Sequence, residues 1–115
     1  MFLEILKIIA SVGTILTGLL ALVKPTSIYG FTGLIAEGGR GITEIRSIFG
    51  GLFIALGAAA LYYRLPQTYA MLGIVYLGIA AVRLVSMILD KSIVSSNIIS
   101  LVVEIVFGVI LILPA

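Results

Sequence analysis

The sequence predicts an all-α integral membrane protein, a four-helix transmembrane bundle with a long, partly apolar first connection. Two observations predict it. Of 115 residues, 62% are hydrophobic and only 10% charged, against about 45–50% and about 25% in ordinary soluble domains. A chain this short keeps much of its surface exposed after folding, and seven basic plus five acidic side chains cannot cover that surface. The second observation is where those charges fall. They leave four apolar stretches of about 21–23 residues, each long enough for a hydrocarbon core about 30 Å thick. Transmembrane β-strands would instead alternate polar and apolar residues over about ten positions, and the unbroken run Leu52–Tyr63 does not. The whole chain, 1–115, reads as one four-span membrane domain.

The first span covers about 2–23 and carries Glu4 and Lys7 near its start. It reads as a span rather than a signal peptide. Glu4 offsets Lys7, and no small-x-small cleavage site follows the apolar run. The connection that follows, Lys24 to Ile42, opens with Lys24-Pro25, and proline suits the first turn of a helix. Ile28, Tyr29, Phe31, Leu34 and Ile35 make it too apolar for a free loop. Gly38-Gly39-Arg40-Gly41 closes it as a flexible hinge. An interfacial helix followed by that hinge is the expected form, with a re-entrant segment or a plain loop as alternatives. The second span covers about 43–63 and turns through Arg64-Leu65-Pro66 into the third, about 67–89, which contains Arg83. Asp90-Lys91-Ser92 leads to the fourth, about 92–113, which contains Glu104.

Helices in lipid associate through small residues and polar contacts, because the lipid is as apolar as the helices themselves. Every span offers such a stripe. In the first, Lys7, Ser11, Thr14, Gly18 and Ala21 recur at intervals of four and three. In the second, Arg46, Gly50 and Gly57 are expected to share a face. In the third, Tyr69, Tyr76, Arg83 and Asp90 recur every seven residues, with Ser86 beside them. In the fourth, Asn97, Ser100, Glu104 and Gly108 line up. The glycines and tyrosines of these stripes serve first as packing residues.

Arg83 and Glu104 are the most informative positions. Charges within a span are costly, face the bundle interior and pair. Glu104 lies 12 residues after Ser92, about 18 Å in, and Arg83 lies 7 before Asp90, about 10 Å in from the same side. A difference of about 8 Å is within reach of the two side chains. Glu44 and Arg46 enter the second span from that side too, two residues apart and so on different faces. The candidate site is therefore Glu44, Arg46, Arg83, Asp90 and Glu104, with Tyr76 on the Arg83 face. It forms a funnel with Glu104 at its base, and Glu44, Arg46, Arg83 and Glu104 sum to zero formal charge. Two readings stay open. One is a site for a small polar or charged solute, with Glu104 available for proton coupling. The other is an ion-pair network that only fixes helix packing in a structural or accessory subunit.

The run Gly41-Ile42-Thr43-Glu44-Ile45-Arg46-Ser47-Ile48-Phe49-Gly50-Gly51 has the form Gly-x-x-Glu-x-Arg-x-x-x-Gly-Gly. With Gly78 to Arg83, Asp90 and Glu104, it resembles a family of small bacterial four-span membrane proteins known as a domain of unknown function. The resemblance covers nearly the whole chain. Members often carry Tyr where this chain has Phe49, and Gly where it has Lys91. It implies a multi-pass protein of a prokaryotic cytoplasmic membrane, with Glu44, Arg46, Arg83 and Glu104 as motif residues. It implies no activity.

Other function classes find little support. Without Cys or His there is no thiolate or imidazole chemistry and no metal or cofactor ligation of those kinds. Ser86, Ser100 and Lys91 form no evident nucleophile–base pair, so the chain does not read as an enzyme. Gly38-Gly39-Arg40-Gly41 lacks the ending of a phosphate-binding loop. A net charge of +2 is too small for nucleic acid, so the expected partners are the lipid bilayer, a second copy in a homodimer or other homo-oligomer, and the solute. The positive-inside rule puts Lys24, Arg40, Arg46 and Lys91 in the cytoplasm, against Lys7, Arg64 and the α-amino group; without Arg46 the two sides tie.

Overall fold

A computed structural model describes residues 1–114. The described residues are helical through the first three predicted spans, the fourth helix starts at Ser95 rather than at 92, and no described residue forms a strand. The long helices are α1 (Phe2–Val23), a continuous helical stretch Gly38–Tyr63, α5 (Pro66–Leu89) and α6 (Ser95–Ile112). The stretch Gly38–Tyr63 consists of α3 (Gly38–Glu44), a π-helical segment (Ile45–Leu52) and α4 (Phe53–Tyr63). All four are long and apolar enough to cross a membrane, which makes this a multi-pass membrane protein. Polarity runs inside out. Lys7, Ser11, Thr14 and Glu104 are buried, whereas Leu16, Tyr62, Ile74 and Val82 are more than half exposed.

The chain groups into two compact units. The first contains Ser11–Tyr62. In it, α1 and the Gly38–Tyr63 helix run antiparallel at backbone contact. A Cβ on Gly57 would lie 2.7 Å from the Ser11 carbonyl oxygen, and one on Gly18 2.7 Å from that of Gly50. The predicted stripe of α1 (Lys7, Ser11, Thr14, Gly18, Ala21) is buried throughout.

The second span departs from expectation in two ways. It begins at Gly38, so the glycine hinge is the first helical turn; only Gly38 needs glycine's freedom there, at φ +64°. Arg46 does not share the face of Gly50 and Gly57 but is exposed, and Ile45 is buried in its place. The reason is the π segment. A π-helix closes its hydrogen bonds at i+5, so the residue one turn before Gly50 is Ile45 rather than Arg46.

The first connection starts helically at Pro25, as expected, but in two short pieces, a 3₁₀ turn (Pro25–Ile28) and α2 (Tyr29–Thr32). Gly33, at φ +74°, ends them in the left-handed conformation typical of a helix stop.

The other unit contains Met1–Ala10 and the chain from Tyr63 onward. Here α5 and α6 pack antiparallel through glycines. Cβ atoms on Gly73 and Gly108 would meet, respectively, the Gly108 carbonyl oxygen at 2.9 Å and the Leu77 side chain at 2.6 Å. Tyr76 is buried and meets Phe107 edge-to-face at 5.6 Å, a favoured aromatic geometry. Lys91 turns the chain toward α6 at φ +51°, a left-handed conformation that residues with a Cβ rarely adopt.

Candidate functional site

Arg83 and Glu104 meet as their depths implied. The guanidinium grips the carboxylate side-on, with Nε donating at 2.9 and 3.1 Å to the two oxygens and NH2 donating at 2.8 Å to Oε2. Such forked pairs are the strong form of the ion pair. A third partner, Asn97, accepts from NH1 at 2.9 Å, while its own amide donates to the Ser92 carbonyl at 2.9 Å. Asn97 thus ties the site to the start of α6. The Glu104 side chain is nearly enclosed at 10% exposure, while that of Arg83 is 30% exposed.

The exposed side of Arg83 lines a cleft of about 490 Å³, together with Gly78, Ile79, Val82, Ser86, Met87 and Asn97. That size lies within the range of about 300–1,000 Å³ for small-molecule sites. Its polar groups sit together around Arg83, and the remaining walls are apolar.

The other predicted site residues are placed differently. Asp90 caps the end of α5, is exposed and accepts a hydrogen bond from Ser86. Tyr76 packs about two turns before Arg83, against Phe107. Glu44 and Arg46 belong to the other compact unit, and both are exposed. Glu44 is held by Arg40, its neighbour at i−4, and lines a separate cleft of about 510 Å³ with Leu34, Ile35 and Glu37 among others. The expectation that these two residues are drawn into the bundle is corrected accordingly. Helix phase carries Arg46 outward, and Arg40, on the first turn of α3, is the nearer partner for Glu44.

Sequence reasoning missed Asn97 as a site member and the partners of Lys7. A polar amide one heptad before Glu104 was the available signal for Asn97. Lys7 sits in the first turns of α1 and, as its place on the polar stripe implied, is buried at 2% exposure. Its ammonium donates to the carbonyls of Leu111, at 3.1 Å, and Leu113, and lies 5.6 Å from the centre of the Tyr69 ring. The last carbonyls of a helix have no partner within it and carry partial negative charge, so Lys7 serves α6 as a cap supplied by another helix. Replacing Lys7 by Met should destabilise the fold by about 1–3 kcal/mol, because buried carbonyls lose their donor; an unchanged midpoint in detergent unfolding would show that the contact is dispensable. At the same end, Arg64 donates to Glu4 at 3.1 Å, and this hydrogen bond raises the already high guanidinium pKa.

Comparison with curated proteins and with solved structures found no match. A family model, by contrast, matches residues 2–114. On that coverage, the chain belongs to the family described as domain of unknown function DUF4345.

Proposed function

We propose that the chain is a membrane protein that binds a small polar or charged solute at the Arg83–Glu104–Asn97 site, as a binding or transport component. One observation carries this reading. A purely architectural pair would leave no donor turned to an open cleft, because an unpaired N–H in apolar surroundings is costly. Arg83 is instead open to a cleft of ligand size, with donors to spare. Its five N–H groups make contacts from Nε, from one N–H of NH1 and from one of NH2. The packing-only reading has its own support, since both Glu104 oxygens are already taken by Arg83.

Glu104→Gln separates the two. Glutamine keeps an acceptor for Arg83 but removes the balancing charge. If the site binds solute, native mass spectrometry of detergent-extracted wild-type protein should reveal a small molecule that the folded fraction of Glu104→Gln no longer carries. A wild-type protein that carries nothing, with a variant that merely fails to fold, would favour packing alone.

A further inference from the structure

The chemistry of the cleft narrows the ligand class, on the reading that the cleft is a binding site. We infer that it takes a neutral, carbonyl-bearing molecule with an apolar body, drawn sideways from the bilayer. Three features exclude the other classes in turn. Glu104 already neutralises Arg83, and Asn97 and Ser86 are uncharged. An anion would therefore bring an uncompensated charge about 10 Å inside the end of α5. A pure hydrocarbon would cover the two spare N–H groups of Arg83 without offering an acceptor, and a buried donor left unpaired opposes binding. A carbonyl oxygen meets both conditions, since it accepts from the guanidinium and adds no charge.

The third feature is the wall. Gly78, Ile79, Val82 and Met87 are apolar, and Val82 is 71% exposed, so the cleft opens on the lipid-facing surface of α5. Gly78 widens it. A Cβ there would meet nothing within 4 Å, whereas one on Gly73 or Gly108 would strike the facing helix. Gly78 is therefore not needed for helix packing, and its missing side chain leaves room for an acyl or ring body beside Arg83.

The test uses full-length protein in dodecyl maltoside, a detergent without carbonyl groups, and three radiolabelled probes: methyl decanoate, decanoate and decane. Binding is measured by equilibrium dialysis against empty micelles. Methyl decanoate should bind saturably and at least tenfold more tightly than either other probe. Gly78→Phe, which fills the cleft, should weaken that binding at least tenfold at an unchanged unfolding midpoint, with Gly78→Leu as the smaller filler if Phe perturbs the fold. Preference for decanoate would overturn the neutral-ligand inference and leave the solute-binding reading standing. Equal binding of decane would overturn recognition of the carbonyl head. Ester binding that ignores both Gly78 variants would place the ligand elsewhere. No saturable binding of any probe would overturn the inference, and a bare wild-type protein in native mass spectrometry would then remove the solute-binding reading as well.

Discussion

Arg83→Leu should lower folding stability by about 3–5 kcal/mol, whereas Arg83→Leu combined with Glu104→Leu should cost far less. Breaking a buried pair leaves one charge without its partner, while replacing both with apolar groups removes the desolvation cost along with the attraction. The environment sharpens the contrast. Glu104 is 8% exposed, and both its oxygens accept hydrogen bonds from Arg83. With Arg83 gone, the carboxylate is left in an apolar span without its counter-charge. In the double variant the amide of Asn97 keeps its hydrogen bond to Ser92, and two leucines match the surrounding lipid-like interior. Unfolding in mixed micelles, followed by circular dichroism, gives the four stabilities of the cycle. Strict additivity, with the double variant as weak as the sum of the singles, would show that the two residues do not act as a unit.

Gly73→Val should be comparably severe for a different reason. Its Cβ would lie 2.9 Å from the Gly108 carbonyl oxygen, 3.0 Å from the Leu111 Cβ and 3.1 Å from the Ile112 amide nitrogen. Two of those three atoms are backbone and cannot rotate away. α5 and α6 must therefore separate, and overpacking a tight core costs about 1–3 kcal/mol even for modest additions. The damage should spread, because Arg83 and Glu104 meet across the same pair of helices. Gly78→Val is the internal control, since it adds the same atoms to α5 where nothing stands within 4 Å. Equal destabilisation by both variants would mean that helix propensity, rather than close approach, sets the cost.

These contacts also mark what could be read from the sequence. Apolar length and the positions of charges located four helices, because the bilayer imposes one thickness on every span. The pairing of Arg83 with Glu104 followed from depth alone, since two charges at similar height in a low-dielectric medium have few other partners. Arg46 shows where such reasoning stops. Its expected face assumed 3.6 residues per turn, and the π segment beginning at Ile45 changes that phase through hydrogen bonds no composition announces. Lys7 marks a similar limit. Its stripe announced an inward face, but its partners are carbonyls more than a hundred residues away. Asn97 lay between these cases, on the right stripe but without the charge that would single it out.

The forked contact of Arg83 with Glu104 has an electrical consequence. A transmembrane voltage does work on net charge moved through it, about 2.3 kcal/mol per elementary charge per 100 mV for a full crossing. Two opposite charges in contact travel as a small dipole, so a shift of the pair as a unit draws almost nothing from the field. The site is thus nearly blind to membrane potential when empty, and it stays so when a neutral molecule occupies it. Any voltage dependence of occupancy would have to be carried in by the ligand, which makes membrane potential a direct reporter of the ligand's charge.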